Sequence, residues 1–466
     1  MKKILCLVFC MLFAFSMIFV GTGCKKEAAK TEEVVGETTA ETTEEATVEK
    51  PTLKLVEFMM ADTDDQEWLN MISGLYTKFE EENNCTLDIT TYSWGDVHMQ
   101  LQIMGEAGGL PDVANYWIAN MGALFAAKEY TVPLDPFIEK EGEEFLQEFD
   151  TRLLVKYNDQ VYGLPAATGN MGLYVNKTLL EEAGFTEAPK TWDEFREMCI
   201  AVTNEAEGIW GIALNGADSE AMLQISPFIA QNGGHVGYYN GEIAINSPET
   251  VEALQFVADL INVDKVVPGY VSSGYKEARD IFYAGKSAFL IDAAWSLHGI
   301  LTKETDFEWY TTTLPEGKMA GTGISVGDSA ASIFAGTKYP ELSWELVKYL
   351  ASYDYLEPIC AGMLYWPTIS EELNQKMIDD PETGYLIKPF NDQLELGNVL
   401  DVYGEMPIEL EAALNLWKEE YHKAILGEKT VQDAMDTVAE GFAKLDEEFL
   451  AKYGAFEKES AGEMYK

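Results

Sequence analysis

The chain is poor in basic residues. Its 466 residues include 32 Lys and Arg against 79 Asp and Glu, so the formal net charge is −47. Proteins that bind nucleic acids or anionic lipid surfaces need clustered Lys and Arg to neutralise phosphates. The composition therefore argues against a nucleic-acid partner.

Cysteine and histidine are also scarce. The six Cys include no CxxC pair, which argues against a cysteine metal site and against a disulfide framework. We expect Cys85, Cys199 and Cys360 to be buried free thiols. The four His form no HExxH motif, and no GxxxxGK[ST] loop is present. The sequence thus predicts no catalytic zinc, no phosphate loop and no cofactor.

The remaining composition is that of a folded protein. Hydrophobic residues make up 47% and charged residues 24% of the chain, which is ordinary for globular proteins. A chain of this length predicts two or more packed units.

The N-terminus has the layout of a signal peptide. Lys2 and Lys3 precede an apolar run of 17 residues, and GTGC follows at 21–24. GTGC resembles a bacterial lipoprotein cleavage box, although Gly21 stands where the pattern prefers Leu. We expect residues 1–23 to be removed and Cys24 to carry lipid. The alternative is a retained membrane helix, because the apolar run is close to spanning length.

Residues 25–51 contain no aromatic residue and are dominated by Glu, Thr and Ala. Such a segment buries too little apolar area to offset its ordering entropy. We therefore expect a solvated tether over 24–51.

The body begins with a strand, helix and strand pattern. TLKLVEFMM reads as a buried strand, EWLNMISGLYTKFEEEN as an amphipathic helix, and CTLDITTY as an alternating strand. This alternation predicts an α/β fold with a largely parallel sheet.

Capping signals predict further helices. Thr191 with Glu194 matches a capping box, and Ser247 followed by Pro248 matches a helix start. A long helix is predicted after Thr430, because apolar residues recur there at helical spacing.

One motif favours a hydrolase. GISVG at 323–327 fits G-x-S-x-G around Ser325, and His422 lies downstream. The nucleophile elbow requires a strand before the serine and a helix after it, whereas SIFAG reads as a strand. A surface hydrolase that uses Ser325 or a pair of acids stays open as the less favoured alternative.

Several aromatic residues lie in loops flanked by Gly, Pro or Asn. Examples are Trp94, Tyr116, Trp117, Trp295 and Trp366. Loops that leave the carboxyl ends of strands line the ligand crevice of α/β proteins. Aromatic faces there suit sugars, because sugar C–H faces are apolar while the hydroxyls need polar partners.

A set of longer blocks resembles the family 1 extracellular solute-binding proteins, the maltose-binding-protein-like receptors of ABC importers. The blocks include FEEENNCTLDITTYSWGDVHMQLQIMGEAGGLPDVANYW, YNDQVYGLPAATGNMGLYVNKTLLEEAGFTEAPKTWDEF and FYAGKSAFLIDAAWS. They cover most of residues 52–350 in the family's order.

The resemblance implies a type II periplasmic-binding-protein fold, with two α/β lobes joined by a hinge and the ligand cleft between them. It implies lobe 1 over 52–166 plus about 320–360, and lobe 2 over 167–319 plus about 361–466. The chain would cross between lobes near YGLPAATGN, between about 314 and 322, and near 358–367.

The resemblance also implies ligand-binding residues. Aligned motif positions are Tyr116 or Trp117 after PDV, Thr168 and Asn170 in the loop after YGLP, and Trp295 with Asp292 beside it. Trp94 and Trp366 are added from their loop positions alone.

The implied function is capture of a carbohydrate, an oligosaccharide above all, for the permease subunits of an ABC importer, without catalysis. We expect a lipid-anchored monomer on the extracellular face of the cell membrane of a Gram-positive-type bacterium. The alternative within this fold is a peptide, amino acid or polyamine ligand.

Overall fold

The computed structural model describes residues 50–61, 65–117, 119–142, 144–149, 154–218, 221–239, 242–319, 322–326, 329–363, 366–367, 371–395, 398–401, 406–407 and 409–454. Lys50–Lys466 forms one compact unit. The predicted signal peptide, Cys24 and nearly all of the tether lie outside the described residues. Within the described residues, no helix is both long enough and apolar enough to cross a membrane.

Strands and helices alternate along most of the body. The strands are β1 Thr52–Glu57, β2 Thr86–Thr91, β3 Val113–Trp117, β4 Val155–Tyr157, β5 Gln160–Pro165, β6 Ala167–Asn176, β7 Trp210–Ala213, β8 Tyr238–Tyr239, β9 Glu242–Ile243, β10 Ser287–Ala293, β11 Trp309–Thr312, β12 Thr322–Val326, β13 Ser329–Ile333, β14 Trp366–Pro367 and β15 Asn398–Asp401. The helices are α1 Gln66–Asn83, α2 Val97–Ala107, α3 Ala119–Ala127, α4 Asp135–Glu141, α5 Lys177–Glu182, α6 Trp192–Val202, α7 Ala221–Gln231, α8 Pro248–Asn262, α9 Tyr275–Tyr283, α10 Ser296–Leu301, α11 Pro340–Leu350, α12 Tyr353–Met363, α13 Glu371–Ile378, α14 Gly384–Glu395, α15 Leu410–Ile425 and α16 Val431–Tyr453.

Local sequence signals explain where several helices begin. The Thr191 hydroxyl accepts a hydrogen bond from the Glu194 amide at 3.3 Å, and Ser247 caps α8 with Pro248 at its first position. Thr430 caps α16 by accepting from the Asp433 amide at 3.0 Å. Each cap satisfies an amide that has no partner inside the helix. The three predicted helix starts are confirmed.

The first sheet has the strand order β2-β1-β3-β13-β5-β4. Strand β1 pairs in parallel with β2 and β3, as the opening pattern predicts. Strand β13 runs antiparallel to both β3 and β5.

The second sheet has the order β15-β12-β6-β10-β7, and β11 and β14 also pair with β6. Strand β10 is parallel to β7 but antiparallel to β6, and β12 is parallel to β15 but antiparallel to β6. All seven residues of β10 are buried.

The prediction of largely parallel sheets is wrong in detail, because both sheets are mixed. Strands β6 and β13 each enter their sheet from the other one, as β5 leads to β6 and β12 leads to β13. A strand that arrives at the carboxyl edge of its new sheet must run back through it, so it lies antiparallel to its neighbours.

The passages between the sheets follow from the same strand order. The first lies at Ala166, between β5 and β6, inside the segment that the resemblance implies. The second lies between Val326 and Ser329, later than the implied 314–322, because β12 still pairs with β6 and β15 of the second sheet. The third lies between the end of α12 and β14.

Burial follows the apolar patterns of the sequence. Cys85, Cys199 and Cys360 are free and buried, as predicted. Helix α16 buries Val431, Met435, Val438, Phe442 and Phe449 along one face, which confirms the predicted stripe.

Candidate functional site

The carboxyl edges of the two sheets are joined by the passages between them. In the first sheet the parallel strands β1, β2 and β3 end at one edge. Strand β13 is antiparallel to β3 and therefore begins at that edge, and β5 ends there. In the second sheet β10 and β12 end where the antiparallel β6 begins. Ligands of α/β proteins bind outside such carboxyl edges, so the candidate site lies where these two edges meet.

Trp295 follows β10 at the edge of the second sheet. Its partly buried indole lies against the backbone of Gly169, near the start of β6. A Cβ atom at position 169 would be 2.0 Å from Cζ3 of the indole, so only glycine allows this approach.

Asp292 lies one residue before the end of β10 and is completely buried. One oxygen accepts from the Tyr275 hydroxyl and from the Ala293 amide at 2.8 Å. The other accepts from Nε of Arg279 at 2.8 Å and from the Ser296 hydroxyl at 2.6 Å. Four protein donors therefore satisfy this carboxylate, as burial of a charge requires.

This environment corrects the expectation that Asp292 offers its oxygens to a ligand. The carboxylate has no exposed surface, and its oxygens accept from the protein donors Tyr275, Ala293, Arg279 and Ser296.

Tyr275 and Arg279 come from the first turns of α9. The Arg279 Cζ atom lies 3.9 Å from the centre of the Tyr275 ring, a cation–π contact. Burial lowers the pKa of Arg279, but the charge and hydrogen bond of Asp292 together with the nearby Tyr275 and Tyr283 outweigh that effect and leave the pKa raised. The Tyr275 hydroxyl accepts from Nε1 of Trp295 at 3.1 Å.

The loop after β7 adds a second carboxylate. Asp218 accepts from the Tyr275 amide at 2.9 Å and from the Asn215 side chain. Asp218, Tyr275 and Arg279 are not predicted as site residues from the sequence. The available signal was the spacing of Tyr275 and Arg279, which places both on one helix face directly before the strand that carries Asp292.

On the first sheet, Trp94 follows β2 and packs edge-on against Phe58, with ring centres 4.7 Å apart. Beside Phe58, Glu57 is completely buried at the end of β1 and accepts from the amides of Met59 at 2.5 Å and Met60 at 3.3 Å. Burial raises the pKa of Glu57 from 4.5 to about 7, although the two amides lower it.

The structure places Tyr116 and Asn170 in the interior. Tyr116 has no exposed surface, packs against Phe125 and Phe334, and its hydroxyl lies 2.9 Å from that of Ser332. The Asn170 amide donates to the Phe390 carbonyl at 2.7 Å. Both contacts support the sheets, because β3 and β6 turn these side chains inward.

Three predicted site residues are paired across strands at the meeting edges. Trp117 is opposite Ser329 in the first sheet, and Trp366 is opposite Thr168 in the second. Thr168 is next to Gly169, whose backbone lies against the indole of Trp295.

The structure contradicts the nucleophile elbow. Ser325 lies inside β12, paired with Asn170, and the next element is the strand β13 instead of a helix. Nε2 of His422 lies 2.6 Å from the Gly216 carbonyl. In the described part of the chain, no group of three or more His, Cys, Asp or Glu side chains is arranged to hold a metal ion.

Comparisons with known proteins agree with this architecture. A sequence model of the family described as bacterial extracellular solute-binding protein matches residues 62–357. A multiple sugar-binding protein of Streptococcus mutans is 26% identical over 295 residues, which cover 59% of this chain and 66% of that protein. An arabinooligosaccharide-binding protein of Bacillus subtilis is 22% identical over 356 residues, covering 75% of this chain and 76% of that one.

Solved structures share the fold. An ABC substrate-binding protein from Listeria monocytogenes in complex with cycloalternan superposes with a TM-score of 0.73 at 19% identity, covering 85% of this chain and 99% of that one. The maltose/maltodextrin-binding domain of Bdellovibrio bacteriovorus, bound to maltotriose, gives 0.70 at 21% identity, covering 85% and 100%. The architecture is the type II periplasmic-binding-protein fold.

Proposed function

The chain belongs to the bacterial extracellular solute-binding proteins, and we propose that it captures a carbohydrate, an oligosaccharide in particular, and delivers it to an ABC importer. The observation that carries the proposal is the placement of Trp295. Its partly exposed indole lies where the two sheet edges meet, and it is backed by the strand that leads from one sheet to the other.

The chemistry of this place fits a sugar. An indole face packs on the apolar C–H face of a pyranose, while hydroxyls find partners among nearby polar groups. The names of the relatives and the ligands of the solved structures, cycloalternan and maltotriose among them, support an oligosaccharide.

The ligand-binding residues follow as part of the proposal. In this proposal, Trp94 and Trp117 of the first sheet and Trp295, Trp366 and Thr168 of the second sheet contact the ligand. Aromatic contacts contribute about 0.5–1.5 kcal/mol each beyond the area they bury. With a few hydrogen bonds, several such contacts reach micromolar affinity, which corresponds to about −8 kcal/mol.

We propose that the two sheets are the cores of the two lobes. One lobe comprises 52–166 with 329–363, and the other comprises 167–326 with 366–454. The ligand shifts the equilibrium between the open and closed states only by the difference between its affinities for them. Closure about the three passages would bring Trp94 and Trp117 towards Trp295.

The proposed location is the extracellular face of the membrane, with the protein held as a monomer by lipid on Cys24. The apolar run before GTGC supports processing at that cysteine. The tether over residues 24–51 would give the body reach towards the permease.

The test is a thermal-shift screen of the compact unit from Lys50 onward. Its ligands are maltotriose, an arabino-oligosaccharide, a chitin oligosaccharide, amino acids, short peptides and polyamines, with product analysis of each hit. A ligand at a hundredfold excess over Kd stabilises the native state by about 2.7 kcal/mol. An oligosaccharide recovered intact supports the proposal. A rise in Tm with peptides or polyamines alone contradicts the proposed carbohydrate ligand. A sugar recovered cleaved contradicts a role in binding alone.

A further inference from the structure

Trp295 is held by a side chain from a different element. Its indole N–H donates to the Tyr275 hydroxyl at 3.1 Å, and the same hydroxyl donates to Asp292. One hydroxyl therefore joins the partly exposed indole to a carboxylate that has no exposed surface.

Tyr275 is itself fixed from three directions. Asp292 accepts from its hydroxyl, the Arg279 guanidinium lies 3.9 Å from its ring centre, and Asp218 accepts from its amide at 2.9 Å. Asp292 and Arg279 are in turn joined by an ion pair at 2.8 Å, with side chains 0% and 24% exposed. An ion pair so poorly solvated has little freedom to rearrange.

A second restraint on the Trp295 indole comes from the backbone of Gly169. The six-membered ring of the indole lies on Gly169, while Nε1 is bonded to Tyr275. The indole is thus restrained both at its nitrogen and along its benzo edge. A ring restrained in this way loses little side-chain freedom when a ligand packs on it.

We propose that Tyr275, oriented by Asp292 and Arg279, is a positioning residue that sets the orientation of the Trp295 indole and thereby the affinity for ligand. The affinity part rests on the proposed carbohydrate-binding function. The orientation part concerns the protein without ligand.

The chain offers a matched control on the same helix. Tyr283 is the last residue of α9, and its hydroxyl donates to the Ser296 carbonyl at 2.9 Å. Tyr275→Phe and Tyr283→Phe each remove one hydroxyl and one hydrogen bond between α9 and the segment after β10, and Tyr275→Phe also removes the hydroxyl donor to Asp292. Only the first removes the acceptor of the indole N–H.

The experiment compares both variants with the unsubstituted Lys50–Lys466 unit, labelled with ¹⁵N at the Trp indoles. The Trp295 indole resonance is assigned by its disappearance in Trp295→Phe. Without ligand, we expect this resonance to shift upfield and exchange faster with solvent in Tyr275→Phe but not in Tyr283→Phe. For the tightest of maltotriose, the arabino-oligosaccharide and the chitin oligosaccharide, we expect Kd to rise about 3- to 10-fold in Tyr275→Phe alone.

The outcomes separate the two proposals. An unmoved Trp295 resonance in a folded Tyr275→Phe overturns the positioning role, as does an equal change of Kd in both variants. If none of the three oligosaccharides binds the unsubstituted protein, the proposed function fails, while the resonance still decides whether Tyr275 orients Trp295.

Discussion

The indole of Trp295 lies so close to Gly169 that a Cβ atom at residue 169 would be 2.7 Å from Cε3 and 2.0 Å from Cζ3 of that ring. Trp295 and Gly169 belong to different segments of the second sheet, one after β10 and one near the start of β6. The contact ties the aromatic residue to the strand that leads from the first sheet.

Gly169→Ala is expected to displace the indole and weaken oligosaccharide binding at least about 10-fold, because the new methyl group occupies the place of the ring. Overpacking also costs about 1–3 kcal/mol of unfolding free energy. Gly172→Ala is the control, because Gly172 lies on the same strand as Gly169 and its Cβ would be 2.6 Å from the ring of Phe390 in α14. Titration calorimetry measures the affinity of each variant, and denaturant unfolding measures its stability. Equal loss of affinity in both variants would show that strand distortion, and not the indole, is responsible.

Trp295→Ala is expected to weaken binding about 30-fold or more, as for a central aromatic contact, with a small change in the Tm of the ligand-free protein. Trp192→Ala is the control. Trp192, in α6, stacks on Phe256 with ring centres 4.8 Å apart, and its indole N–H donates to the Gln231 side chain at 3.0 Å. The control should lose about 3 kcal/mol of stability and keep its affinity. A Tm loss in Trp295→Ala as large as that of the control would identify Trp295 as a core residue.

The raised pKa of Glu57 predicts that the stability of the protein depends on pH. Its pKa is 4.5 when solvated and about 7 in the folded protein, so between these values the native state holds a proton that the unfolded state has lost. The free energy of unfolding should therefore fall as pH rises from 4.5 to 7, by up to about 3 kcal/mol from this group.

Denaturant unfolding at several pH values, with Glu57→Gln beside the unsubstituted protein, isolates the effect. The difference in stability between the two proteins should change across this window and level off above it. A difference that stays constant from pH 4.5 to 7.5 would contradict the raised pKa.

Cys24→Ala is expected to release the protein from membranes or to block its processing, because the thiol that we propose as the lipid attachment site is absent. Cys10→Ala, within the apolar run, should leave membrane attachment unchanged. Fractionation of cells that express each variant measures the effect. An undiminished membrane fraction for Cys24→Ala would indicate a retained apolar helix instead of a lipid anchor.

Local features of the fold were readable from the residues. The caps at Thr191 and Ser247, the long helix after Thr430 and the apolar stripe of α16 were predicted and are present. These features depend on residues within a few positions of each other, so periodicity and side-chain chemistry reveal them. The direction of β6 and β13 was not readable, because it depends on which sheet each strand joins.

For the candidate site, the sequence by itself determined which residue types are available: tryptophans in loops, an aspartate inside a buried strand, and glycine at position 169. The tertiary structure alone decided their roles. It buried Tyr116 against Phe125, enclosed Asp292 among protein donors, and set Trp295 on Gly169 with Tyr275 at its nitrogen. The physical reason is distance along the chain. Trp295 meets Gly169 across more than a hundred residues. The bonds that Tyr275 and Arg279 make to Trp295 and Asp292 span 13–20 residues, and they depend on how α9 packs against β10, which local periodicity does not reveal.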